Sequence, residues 1–202
     1  MKMVGVCQWL ELLIVCILFE VIMKNIPAGK DLPNQMNVII EISSNSSPVK
    51  YEVCKESGLL EVDRFLTSAM HYPCDYGYVP NTLCDDGDPV DVCVIAPFPI
   101  IPGAMVACRP IGVLTMEDEK GGDDKLLAVP VPSVAPDYAH IQDLKDIPQL
   151  TLDRIGHFFA HYKDLEANKW AKVKDWHGRD HAKTILLAVS YTHLTLPTIY
   201  SV

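Results

Sequence analysis

Between Pro27 and Ala188 the apolar residues come in short runs rich in Val and Ile, and Pro or Gly cuts off each run. Segments of this length and composition suit strands and are too short for buried helices. Six candidate strands follow: Asn37–Ile42, Val49–Val53, Leu59–Arg64, Asp91–Ala96, Met105–Met116 and Leu126–Val129. The period then changes. From Pro148 to Leu165, Leu152, Ile155, Phe159, Tyr162 and Leu165 fall near one helical face. Asp146, Ile147 and Pro148 suit a helix start. A second helix is expected over Arg179–Ala188. About six strands followed by two helices predict a mainly β fold, a small β-barrel with flanking helices packed outside it.

The 202 residues suit one domain with a real core. The formal net charge of -9 argues against a nucleic-acid partner, which needs a basic footprint. Seven cysteines occur, at 7, 16, 54, 74, 84, 93 and 108, and none forms a C-x-x-C pair. Reduced, buried thiols in a cytoplasmic protein are expected, not a zinc ribbon.

The two ends differ from the middle. Leu12–Phe19 is too short to span a bilayer, and Glu11 and Glu20 bracket it. No cleavage site follows, so residues 1–22 read as an extension ahead of a start at Met23. Val189–Val202 carries four Thr and a Pro, which disfavour and stop a helix. It reads as a tail foreign to a domain spanning 23–188. No membrane partner is expected.

The chemistry centres on Asp86-Gly87-Asp88-Pro89-Val90-Asp91. Three carboxylates this close repel one another and need a cation or solvent to persist. Oxygen donors without Cys or His select a hard ion such as Mg²⁺ or Mn²⁺. An isolated acidic turn of this kind is more often just solvated surface. Here Asp91 opens an apolar strand, which argues for a position at a barrel rim. A second acidic cluster, Glu117-Asp118-Glu119 and then Gly121-Gly122-Asp123-Asp124-Lys125, can complete a multi-ion site opposite the first. Lys50 and Glu52 share one face of a strand. Alone they suggest a surface pair, and Asp63-Arg64 and Tyr162-Lys163 are equally ambiguous. The segment from Tyr72 to Tyr78 is rich in tyrosine, as core packing with hydroxyls at the edge would require. His157 and His161 are i, i+4 but lack the Glu of a zinc-protease helix. An interface or a solvated helix face suits them better. No phosphate-cradling glycine loop of a nucleotide fold is present.

In order along the chain, IPAGKDLP, IIEI, PVKYEV, VDRFL, YPCDYGYVPNTL, DGDPVDV, CRPIGVLTMEDE, DDKLLAVP and HFFAHYKDLE resemble the bacterial family I soluble inorganic pyrophosphatases. The resemblance runs from about Ile26 to Ala188. It implies an OB-type five-stranded β-barrel with two C-terminal helices, a homohexamer, and several Mg²⁺ per subunit. It also implies hydrolysis of diphosphate to two phosphates by metal-activated water attack. Asp86, Asp91 and Asp123 would hold the tightest ion, with Asp91 bridging to a second. Asp118 and Asp123, with Glu119, would take a third. Glu52 would help hold another, with Glu41 behind it. Asp88 would be the general base. Lys50, Arg64, Tyr76, Tyr162 and Lys163 would bind phosphate oxygens. Lys125 would screen the acidic loop, and Tyr72 would wall the site. Asp75 stands where the family is Asn-like, and its charge beside Tyr76 is expected to weaken substrate binding. The competing reading is a non-catalytic OB module that binds metal or phosphate.

Overall fold

The computed structural model describes residues 26–54 and 57–194. The readings of residues 1–22, of Met23 as a start and of residues 195–202 fall outside them.

Among the described residues, nine strands and two α-helices follow in chain order. The strands are β1 (Met36–Ile42), β2 (Val49–Val53), β3 (Leu60–Phe65), β4 (Asp75–Tyr78), β5 (Asp91–Val94), β6 (Met105–Asp118), β7 (Gly121–Gly122), β8 (Lys125–Pro130) and β9 (Ala171–Gly178). The helices are α1 (Gln149–His161) and α2 (Arg179–Leu194). Strands β1, β4, β5, β8 and β6 pair in that order, and β6 returns to β1 through Met36↔Cys108 and Ile39↔Met105. Five strands therefore close on themselves in the OB-like ring expected from the sequence. Closure covers the first half of β6 with β1, and β9 takes the edge that its second half leaves open. Strand β6 does most of the joining. It pairs β1 first, then β8, then β9, and it shifts register at Pro110/Gly112 and Leu114/Met116.

Alternation along the strands feeds two cores. Val92 and Val94 of β5, Leu126 and Ala128 of β8, and Val38 and Ile40 of β1 pack with Ala182 and Leu186 of α2. The intervening Cys93 and Leu127 join Leu152, Ile155, Phe158 and Phe159 of α1. Two sequence expectations shift here. Leu165 is exposed, because α1 stops at His161 and a turn follows; Phe158 takes the buried place instead. Helix α2 does not stop at Ala188 but runs to Leu194. Val189 packs against the second core, and its carbonyl accepts the Leu83 amide at 3.1 Å. Those contacts outweigh the low helix propensity of Thr.

The β2–β3 hairpin is a separate two-stranded sheet. It stands off the ring and forms one wall of the cleft described next. Among the described residues, no helix is long and apolar enough to cross a membrane.

Candidate active site

One cleft of about 860 Å³ lies between the hairpin, one rim of the ring and the end of α1. All fifteen candidate residues line it. Glu41 comes from β1, Lys50 and Glu52 from β2, and Arg64 from β3. Tyr72 and Tyr76 come from β4 and its approach, and Asp86, Asp88 and Asp91 from the turn into β5. Asp118 and Glu119 sit at the end of β6, with Asp123 and Lys125 at the start of β8. Tyr162 and Lys163 follow α1.

Local geometry explains why each side chain is presented. Gly87 has φ +84°, a left-handed conformation that suits Gly and sharpens the DGD turn. The Asp88 amide donates to Asp86 Oδ1 at 3.0 Å, which holds both residues on that turn. Gly77 lies so close to β1 that an added Cβ would stand 1.9 Å from the Ile39 carbonyl oxygen. Only glycine lets β4 approach and set Tyr76 in place. Beneath the cleft, the Tyr72 ring packs at 4.6 Å on Phe158 and at 5.2 Å on Tyr76, while Phe158 stacks at 5.2 Å on Tyr162. This aromatic floor fixes three phenols at the base. Burial pushes the Tyr72, Tyr76 and Tyr162 hydroxyls upward in pKa, so they stay protonated hydrogen-bond donors.

The lysines sit among the carboxylates. Parallel pairing of β5 with β8 puts Asp91 opposite Lys125. The buried Lys125 ammonium bonds Asp91 Oδ2 at 2.5 Å and also Asp123 Oδ1, and it lies 5.9 Å from the Tyr76 ring centre. The two acidic clusters, far apart in sequence, thus meet at one cation. Burial opposes charge on Lys125, but Asp91 and Asp123 outweigh it and hold its pKa up. Lys163 bonds Asp118 at 2.7 Å and Glu119 at 3.2 Å. Burial raises the Asp118 carboxyl, yet the bonds from Lys163 and the Lys120 amide bring it below the ordinary range. Asp123 moves the other way, because burial outweighs Lys125. Burial pushes Glu41 up to about 8, with Asp91 and Glu52 adding to it. Its Oε1 accepts the Val53 amide at 2.8 Å.

Asp75 does not act as expected. It is buried and turned away from the cleft, where Oδ1 accepts the amides of Ser44 at 2.8 Å and Ile100 at 3.0 Å. Neighbouring strand positions face opposite ways, so being next to Tyr76 in sequence separates the two side chains. Conversely, Asp63, Lys120 and Lys169 also line the cleft. Asp63 pairs with Arg64 at 2.6 Å. No sequence signal separates these three from ordinary surface charges.

The donor set fits a hard divalent ion. Eight of the fifteen residues are carboxylates, and no thiol or imidazole is among them. Among the described residues, no three Asp, Glu, His or Cys side chains close on a single point.

The chain matches the family described as inorganic pyrophosphatase over residues 38–192. It belongs to the inorganic pyrophosphatase family. It is 57% identical to the inorganic pyrophosphatase of Xylella fastidiosa over 171 residues, covering 84% of this chain and 96% of that one. It is 54% identical to the Escherichia coli enzyme over 164 residues, or 81% and 93% of the two chains. The solved inorganic pyrophosphatase of Coxiella burnetii superposes with a TM-score of 0.81 at 52% identity, covering 83% of this chain and 99% of that one. The fold is therefore shared with solved pyrophosphatases, and the likeness spans nearly the whole of the relatives.

Proposed function

We propose that the cleft hydrolyses inorganic diphosphate to two phosphates, with several Mg²⁺ ions per subunit. One observation carries this reading: carboxylates for hard cations and a set of lysine, arginine and tyrosine donors for phosphate oxygens line the same cleft. The curated relatives, named inorganic pyrophosphatases at 54–57% identity, favour hydrolysis over a non-catalytic OB module.

Diphosphate is strongly anionic, and this cleft is rich in carboxylates, so the two repel unless cations stand between them. Bound Mg²⁺ would supply that charge, neutralising phosphate oxygens and acidifying the attacking water. Asp86, Asp91, Asp118, Glu119 and Asp123 would hold the ions, with Glu52 and Glu41 on the hairpin side. Asp88, on the turn between two of these ligands, accepts the proton of the attacking water. Lys50, Arg64 and Lys163 stabilise the charge that moves to the leaving phosphate. Tyr76 and Tyr162 donate from the floor to its oxygens, and Tyr72 walls the site.

Phosphate release from diphosphate by the purified protein, with Mg²⁺ and with EDTA, tests the reading. Turnover should need the ion. Diphosphate bound but never cleaved at saturating Mg²⁺ would leave the binding module standing.

The reading extends to a cytoplasmic homohexamer. His157 and His161 are exposed on α1 with ring centres 4.6 Å apart, and His161 Nδ1 lies 2.8 Å from Asp164 Oδ2. That face is offset from the buried one and is available to a neighbouring subunit. A monomer mass by sedimentation would end this part of the proposal. The active unit would begin at Met23 and run to Leu194, where α2 ends.

A further inference from the structure

The β2–β3 hairpin carries Lys50, Glu52, Asp63 and Arg64 into the cleft, yet among the described residues no strand pairing joins it to the ring. The Val53 amide holds the hairpin to Glu41 of β1, but that bond lies on the near side, and a second tie is needed to keep the hairpin's cations in register with the far side. Arg64 is placed to supply one. Its Nε donates to Glu166 Oε1 at 3.2 Å, across 102 positions of sequence. Glu166 lies on the turn that follows Tyr162 and Lys163, where its amide donates to the Lys163 carbonyl at 2.8 Å. Its side chain is only 9% exposed, and its other oxygen takes Lys169 at 3.2 Å. Glu166 is absent from the residues that line the cleft.

A carboxylate buried beside a site for an anion is electrostatically unfavourable for that anion. Its geometry offers a compensating role. Arg64 has five N–H donors in a rigid plane. Asp63 holds Nη1 at 2.6 Å and Glu166 holds Nε, so two of its corners are fixed and the rest of the fork is set for phosphate oxygens. We propose that Glu166 is a positioning residue that sets the Arg64 guanidinium for the diphosphate and locks the hairpin onto the turn carrying Tyr162 and Lys163. The role belongs to its hydrogen-bond acceptor and not to its charge. The proposal rests on the diphosphate reading above.

The test compares Glu166→Ala, Glu166→Gln and Arg64→Gln with the double variant Glu166→Ala/Arg64→Gln. Two readouts are used: diphosphate turnover with Mg²⁺, and calorimetric affinity for methylenediphosphonate, a diphosphate that cannot be hydrolysed. Glu166→Ala should weaken affinity and raise KM on the order of tenfold, because misplacement of a binding group costs at least that much. Glu166→Gln keeps the acceptor and should stay within about threefold of wild type. In the Arg64→Gln background, Glu166→Ala should cost almost nothing further, since the two side chains act as one unit. Equal losses for Ala and Gln, or additive losses in the double variant, would overturn the proposal. Affinity for the analogue does not depend on catalysis, so a failure of the Glu166 role and a failure of hydrolysis give different results. A wild type that binds the analogue but releases no phosphate would sink the hydrolysis and leave the role of Glu166 to be decided by affinity alone.

Discussion

The turn Asp86–Asp91 and the loop Asp118–Asp123 bring acids to the same cleft in different ways. Asp86 is exposed and Asp88 half-buried, on a turn shaped by Gly87. Asp118 is buried against Lys163, and Asp123 is bonded to the buried Lys125. The loop thus brings its counter-charges with it, built into neighbouring strands and the segment after α1. The turn keeps its outer carboxylates in solvent reach, where cations and water can come and go. Asp91 belongs to both, through Lys125. On the proposed mechanism this difference is a division of labour, with the loop a preset frame and the turn the place of exchange.

The sharpest way to break that division is Asp88→Asn. It keeps the shape of the turn and removes the proposed proton acceptor. Turnover should fall about 10²–10⁴-fold, the range for loss of a general base, with the far-ultraviolet circular dichroism unchanged. Near-wild-type phosphate release at saturating Mg²⁺ would return Asp88 to the solvated surface.

Next in size is Lys125→Met. It leaves Asp91 and Asp123 facing each other without their shared cation. Removing one partner of a buried ion pair costs about 3–5 kcal/mol. Urea unfolding in EDTA should show that loss, and Mg²⁺ should recover part of it by replacing the missing charge. Stability unchanged in EDTA would mean that the two acids need no built-in counter-ion.

The smallest effect concerns Asp118, whose carboxyl is held below its ordinary range. A group with a lowered folded pKa contributes stability above its unfolded value, and that stability is lost as pH falls through the folded value. The Asp118→Asn variant should therefore be less stable than wild type at about pH 6, by about 1.5–3 kcal/mol for a charged hydrogen bond. The gap should shrink as the pH drops below about 3.9. A gap that stays constant down to about pH 3 would show that the Asp118–Lys163 bond does not depend on the charge of Asp118.

The strands that proved legible carry a run of apolar residues, whether that run feeds a core, as in β1, β5, β6 and β8, or stays largely exposed, as in β3. Residues Val49–Val53 pair over the predicted span, and β1, β5, β6 and β8 agree to within two residues at each end. Strands β4 and β9 escaped for different reasons. β4 is only four residues, and its aromatics read as packing. β9, AKVKDWHG, is polar and half-exposed, so it has no apolar run to see. It exists because β6 offers it a pairing edge. The acidic turn Asp86–Asp91 and the cluster around Asp118 and Asp123 are legible from residue types. The cleft positions of Lys50, Glu52 and Arg64 follow only from the family resemblance, because Lys50 with Glu52 and Asp63 with Arg64 read alone as surface pairs. Asp75 stands beside Tyr76 in sequence but faces the other way, because the pleat of β4 turns it towards the Ser44 and Ile100 amides.

The sequence by itself determined the local content of this protein: short strands, an amphipathic helix, an acidic turn on Gly87, and oxygen donors suited to a hard ion. These follow from propensity, period and donor chemistry, all of which act over a few residues. Tertiary structure decided the rest. The pairing of β1 with β6 closes the ring, β5 beside β8 brings Asp91 to Lys125, and Arg64 meets Glu166 across the cleft. Such contacts join residues tens of positions apart. Their formation depends on the loop-closure entropy and burial of the whole chain, which no local pattern records.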